Sequence, residues 1–434
     1  MSDASPLLVL VGTYGEKLGH VDGKGEGVYA LLLDRATLAP HVSAATSPYH
    51  AKPQLGEAAG GARNPSWVTA YRDGADGPLC AYVADEVDES TLLAARVDEA
   101  TGQLTQLGQP VLTGGGIACH ISVAPGGAHV LVAMYGGAVC AIERHADGSL
   151  GARVALVELP PPEWADAIGA FPRANVARQE ASHPHMVLES RSAGKHAFLV
   201  PDLGGDVIWA LEYSATASPP LLAAAPTAIH PRRALDGAGP RHVALHPTLD
   251  VGYVAYELSS QVAAFALDRA TGRLGDTPLP PGPVCTLGAA ESSAPFAQPF
   301  DPSLHAHLLS APASDPTAVK GLSERTSVAA IRVAADGAHV YVSNRLVGTD
   351  GAISAIPLRP DGALAPPAVL ASSRGRTPRD FVLLAPHPSP AHAAPSRILV
   401  ANQDSDTLWS LPLGHGTSVH VADVPTPVCL CLAP

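Results

Sequence analysis

The stretch "GPRHVALHPTLDVGYVAYELSSQVAAFALDRATGRL", Gly239–Leu274, decides the fold. It opens on an alternating run, His242 to His246, of the kind a half-buried strand shows. The turn "HPTLDVG" follows, then a second apolar strand ending in Glu257. A third strand, "QVAAFAL", ends at the turn "RATG". Turn residues at these points and period-2 apolar runs between them read as consecutive antiparallel strands.

The same order recurs along the chain at an irregular spacing of roughly 50–65 residues, with one longer interval. Clear copies are "NPSWVTAY…LCAYVADE…TLLAARVDEATGQL" and "ACHISVAPGGAHVLVAMYGGAVCAIERHADGSL". Others are "HPHMVLESRSAGKHAFLVPDLGGDVIWALEYS", "SVAAIRVAADGAHVYVSNR…AISAIPLRPDGAL" and "TPRDFVLLAP…RILVANQDSDTLWSLPL". Four antiparallel strands per unit, repeated radially, predict an all-β, seven-bladed β-propeller spanning 1–434 as one domain. The N-terminal "LLVLVGTY…GVYALLLDRATLAP" lacks a first strand, and "TPVCLCLAP" at the C-terminus supplies one. Pairing these two closes the ring and removes an exposed sheet edge. Two Pro-, Ala- and Ser-rich segments, 159–181 and 275–325, interrupt the period. They read as inserted surface loops, with a lid over the channel as the sharper alternative.

Composition agrees. The 434 residues are 46% hydrophobic and 15% charged, with 41 Gly, 42 Pro and 5% aromatics. That favours short strands and many turns over long helices. No stretch beyond about 15 residues keeps a 3.6-residue apolar period. The net charge of −13 argues against nucleic acid or an anionic membrane as partner. Only five of the 27 basic residues are Lys, so a single Arg carries little information. The six cysteines form no CxxC pair and read as buried free thiols in a reducing compartment. The N-terminus lacks a basic region before its short apolar run, so a soluble, cytoplasmic protein is expected.

In a propeller the first strand of each blade lines the central channel. The start of the first strand and the end of the second lie at the same end of the hairpin, so these positions from all blades meet at one mouth. Strand-one starts supply His120, His183, His185, Arg241, His242 and Arg379. Strand-two ends supply Asp85, Glu86, Tyr135, Asp202, Glu257, Asn344, Arg345, Asn402 and Gln403. Arginines, histidines and carboxylates converging from different blades point to a pocket for a small anionic molecule, since Arg binds carboxylate or phosphate bidentately. Taken one at a time, each of these residues could equally cap a strand end. A divalent metal on His183, His185, His120, His242 and Asp202 is an alternative, but no spacing there is diagnostic. The "GGGIA" run at Gly114 precedes a strand rather than a helix, and no G-x-S-x-G elbow occurs.

The motifs "VGTYGE", "NPSWV", "HPHMV…VPDLGGD", "GPRHVALHP", "YVAYE", "DGAHVYVSNR", "TPRDF" and "ANQDSD" run nearly end to end. In this order the chain resembles the seven-bladed β-propeller lactonases, which include 6-phosphogluconolactonases and carboxy-cis,cis-muconate lactonizing enzymes. The two insertions and Leu104–Val157 depart from that pattern. The resemblance implies a site of His185, Arg241, Glu257 and Arg345, all already in the mouth set. It implies lactone hydrolysis without metal or organic cofactor, with the two arginines holding an anionic group and oxyanion, His185 activating water, and Glu257 orienting it or shuttling the proton. His120, Arg379, Asp202, Asn344 and Gln403 are the expected substrate-binding residues. A muconate cycloisomerase and a non-catalytic scaffold are the rival readings. His242, next to Arg241, is expected to turn away from it and serve structure.

Overall fold

A computed structural model describes residues 6–40, 62–159, 177–190, 192, 196–222, 237–287, 326–366, 368–386 and 393–434. Seven antiparallel sheets surround a central channel, and we number them as blades in ring order. In blade 1 the inner strand is Pro427–Leu432, followed by Leu7–Thr13 and Tyr29–Leu33. Blades 2 and 3 begin on the inner strands Pro65–Tyr71 and Ala118–Val123. Blade 4 begins with a short strand, Leu188–Ser190, and blade 5 with Pro240–Leu245. Blades 6 and 7 begin on Thr326–Val333 and Pro378–Leu384. Among the described residues the only helical pieces are single 3₁₀ turns, at Pro125–Gly127 and Gln403–Ser405.

Ring closure is as expected from the two termini. Val9 pairs with Leu432, Val11 with Leu430 and Gly12 with Cys429. The core lies between blades rather than in one central mass. Leu131, Val139 and Ala141 of blade 3 pack on Phe198, Val200 and Trp209 of blade 4. Leu199 and Ile208 of blade 4 pack in turn on Val254 and Phe265 of blade 5. Each such fully buried large side chain contributes about 1.5–3 kcal/mol. The six cysteines are free, four of them buried and Cys285 and Cys431 half-buried.

The described parts of the two insertions differ. Val284–Cys285 pairs with Gln261–Val262 and extends the outer edge of blade 5. Residues 160–176 and 288–325 lie outside the described residues. The end of the first insertion, 177–181, returns to the channel mouth rather than to the outer surface.

A register shift recurs at the inner-strand start. Pro65 pairs with Asp85, yet Trp67 pairs with Ala84, so Ser66 is an extra residue. The same holds for Cys119 between Ala118 and His120, Arg241 between Pro240 and His242, and Arg379 between Pro378 and Asp380. In blade 4 the Pro184–Asp202 bridge puts His185 in the corresponding place. Such bulges re-aim a side chain without ending the strand. Gly239, just before this point in blade 5, has φ +66° and sits where a Cβ would meet Leu258 Cγ at 2.7 Å, so the "GPRH" glycine answers a backbone demand.

Candidate active site

The bulged residues form one ring at the mouth and the residues at or just past the second-strand ends form another: Tyr14, Glu86, Tyr135, Leu203, Glu257, Arg345 and Gln403 in blade order. Between them lies a cavity of about 630 Å³, lined by His185, Glu257, Arg345, Arg379 and Gln403 together with Glu86, Cys119 and Tyr135. That volume lies within the usual range for small-molecule sites.

Glu257 is the electrostatic centre. Its side chain is 4% exposed and meets three guanidiniums. Arg178 Nη2 lies 2.9 Å from Oε1, Arg241 Nε 2.9 Å from Oε2, and Arg345 Nη2 3.1 Å from Oε2. Burial pushes the carboxyl pKa up, but Arg345, Arg178 and Arg241 together hold it well below the usual carboxylate range. An acid this firmly ionised is a poor proton relay. Three cations on one carboxylate leave the cluster with excess positive charge. Arg241 itself is buried behind Glu257, away from the cavity lining, and donates to the Ala329 carbonyl and to His242 Nε2. Burial and the neighbouring Arg345 push its pKa down to about 9, so it stays charged at neutral pH.

His185 is 7% exposed, lines the cavity, and sits edge-on to Tyr135 with ring centroids 5.7 Å apart. Burial, reinforced by Arg241, holds its pKa well below the histidine range, so the imidazole is neutral at pH 7. Its Nδ1 has no hydrogen-bond partner. His242 departs from expectation. The bulge at Arg241 breaks strict alternation, and His242 faces the channel beside Arg241, 5.5 Å from the His185 ring and 6.0 Å from His120. Accepting from Arg241 at Nε2 places its proton on Nδ1.

The other expected substrate-binding residues separate into two groups. Arg379 and Gln403 line the cavity. Arg379 donates to the Tyr14 hydroxyl at 2.6 Å, and that hydroxyl donates to Glu86 at 2.9 Å. Gln403 is 3% exposed and leaves Oε1 unpartnered. His120, Asp202 and Asn344 do not line the cavity. His120 packs on Trp67 deeper in the channel, 4.2 Å between rings, with its pKa lowered to about 3 by burial and by Arg332 and Arg241. Asp202 accepts from Ser182 Oγ, His183 N, Gly205 N and Trp209 Nε1, all within 3.0 Å. Asn344 is held by Ser354 Oγ and Thr286 Oγ1, each at 2.6 Å. Asp202 stands opposite Pro184 and Asn344 opposite Val328, one residue before Leu203 and Arg345, and that position faces into the blade, not the mouth.

The metal set does not assemble. Asp202 spends its oxygens on capping, His183 stacks on Tyr135 at 4.0 Å, and among the described residues no three His, Cys, Asp or Glu are placed to share an ion. Cys119 touches the cavity, but burial pushes its thiol pKa up and so disfavours the thiolate.

The chain matches the family described as "Lactonase, 7-bladed beta-propeller" over residues 9–281 and 305–430. It belongs to the β-propeller lactonase family. The 6-phosphogluconolactonase of Bacillus subtilis (strain 168) is 26% identical over 375 residues, 86% of this lactonase and 83% of its own length. The structure of the Pseudomonas aeruginosa periplasmic gluconolactonase superposes with a TM-score of 0.68 at 24% identity, covering 99% of each chain. A protein from Lactobacillus plantarum superposes at 0.62 and 24%, covering 99% of this chain and 100% of its own. These last two show a shared fold. The family makes the protein a lactone hydrolase by class, and nothing in the comparisons favours the cycloisomerase or scaffold readings.

Sequence reasoning missed Arg178, His20 and Arg376, all of which line the cavity. None lies on an inner strand or a second-strand end, so the repeat pattern had no place for them.

Proposed function

We propose that this lactonase hydrolyses a small sugar lactone carrying an anionic group, of the 6-phosphogluconolactone type, by acid–base chemistry on its own side chains. The observation that carries this reading is His185, lining the cavity with its Nδ1 unpartnered, beside an arginine cluster of excess positive charge. A neutral imidazole can take a proton from water as the water oxygen attacks the lactone carbonyl. The carbonyl electrons move onto oxygen, and of the expected pair Arg241 and Arg345 it is Arg345 that can stabilise that oxyanion, since it lines the cavity while Arg241 does not. Collapse breaks the ring C–O bond, and the imidazolium returns its proton to the leaving ring oxygen. The product is the open hydroxy acid. Glu257 keeps its charge throughout and fixes the guanidiniums in place. The 6-phosphogluconolactonase activity named for the B. subtilis relative supports the substrate class.

The test is opening of 6-phosphogluconolactone, followed by coupling the released acid to its dehydrogenase. Acceleration by wild-type protein that is lost in His185→Ala is the expected result. A rate equal to the spontaneous one with wild-type protein would sink the reading.

A further inference from the structure

The geometry points to Arg178 as the residue that makes this site prefer a phosphorylated lactone over a neutral one. This rests on the lactonase reading above and adds a specificity role to a residue outside the blades.

Three guanidiniums contact Glu257, but they are not equivalent. The side chains of Arg241 and Arg345 are 4% and 15% exposed, whereas that of Arg178 is 44% exposed. Removing Arg241 from its carboxylate would strand a buried charge, which is costly. Arg178 leaves Glu257 at lower cost than Arg241 would, because solvent hydrates it and two arginines still neutralise the carboxylate. An anion arriving from solvent therefore finds one guanidinium able to change partners. A phosphate suits that exchange, offering two oxygens to the planar fork where Glu257 offers Arg178 one.

The surroundings of Arg178 confine the change to its side chain. The adjacent Gln179 is fully buried and donates from Nε2 to the Leu203 carbonyl at 3.0 Å. Arg178 Nη2 also reaches the Tyr135 hydroxyl at 3.4 Å. Tyr135 is itself stacked on His183, whose backbone N–H donates to Asp202 at 2.6 Å. The guanidinium thus pivots at a fixed rim beside the cavity, and no movement of the chain is needed. In the rest of the mouth Arg379 is engaged with the Tyr14–Glu86 pair and Arg376 with the Asp404 carbonyl at 2.7 Å.

The experiment compares Arg178→Ala and Arg178→Lys with wild type on 6-phosphogluconolactone and on glucono-1,5-lactone. In parallel, calorimetry measures binding of the open acids, 6-phosphogluconate and gluconate. Losing one charge-assisted contact should raise KM for the phosphorylated lactone about 10- to 100-fold more than for the neutral one, with Lys restoring part of the difference. The calorimetric preference for 6-phosphogluconate should shrink by the same factor. Equal losses on both lactones, no loss on either, or a wild-type protein with no preference for 6-phosphogluconate would overturn the assignment. If wild type opens neither lactone, the proposed reaction falls, and the binding comparison still decides Arg178.

Discussion

The mouth has two halves, and they handle charge differently. On blades 4 to 6, Glu257 is surrounded by Arg178, Arg241 and Arg345, and cations outnumber the carboxylate. On blades 7, 1 and 2, Arg379 reaches Glu86 through the Tyr14 hydroxyl, and Gln403 and Asp404 add neutral and acidic groups. The first half suits an anion and a developing oxyanion. The second suits hydroxyls, which need donors and acceptors in near balance. Apart from Arg178 and Asp404, both halves occupy the same two ring positions of one repeated hairpin, so there the backbone is common and the side chains make the difference.

The sharpest attempt to break this contrast is His185→Ala. It should cut kcat/KM by about 100- to 10,000-fold, as removal of an acid–base group does, while Tm moves little. A loss confined to KM would place the chemistry elsewhere in the mouth.

Next is Glu257→Ala, which strands Arg241 in the interior. Breaking a buried pair from one side costs about 3–5 kcal/mol, measurable as a shift in urea midpoint at constant m. The corresponding Glu86→Ala should cost much less, because no guanidinium is directly ion-paired to it among the described residues. Equal costs would erase the distinction between the halves.

Acid should act first on the cationic half and the channel beneath it. His120, His185 and His242 all have folded pKa values below 6.5, so the unfolded chain binds protons that the native one refuses. Each removes up to about 1.4 kcal/mol per pH unit as pH falls below about 6.5. Glu257 is also depressed, so its stabilising contribution is present above the unfolded carboxylate pKa and lost as pH falls below it. Stability should therefore decline steadily on acidification from about pH 6.5, and His120→Phe should flatten the slope. An unchanged slope would mean the histidine is not neutral in the fold.

The smallest effect tests the second half. Tyr14→Phe removes the hydroxyl between Arg379 and Glu86, worth about 1 kcal/mol, and should raise KM about fivefold with kcat nearly constant. A dominant kcat effect would instead bring that half into the reaction.

Most of the candidate site was legible because the fold is a repeat. Once the hairpin of "GPRHVALHPTLDVGYVAYE" is seen to recur, Arg241, Glu257, Arg345, Arg379 and Gln403 must share one end of the channel. The readings that failed did so at single-residue resolution. Asp202 and Asn344 share strand-two ends with Leu203 and Arg345, yet each stands one residue earlier on its strand and so faces the opposite way. Alternation turns His242 away from Arg241, but the bulge at Arg241 cancels alternation locally. Arg178 lies in a segment with no period.

Strand order, seven-fold repetition, closure by "TPVCLCLAP" and the mouth residues His185, Glu257, Arg345, Arg379 and Gln403 can be read from the sequence, whereas Arg178, His20 and Arg376 cannot. The former follow from local turn chemistry and period-2 patterning, which neighbouring residues encode. Tertiary structure alone decided that Arg241 supports Glu257 from behind, that three arginines keep that acid ionised, and that Arg178 reaches it from outside the blades. Distances, burial and electrostatic coupling arise between segments far apart in the chain, such as the 79 positions separating Arg178 from Glu257, and no local pattern records them.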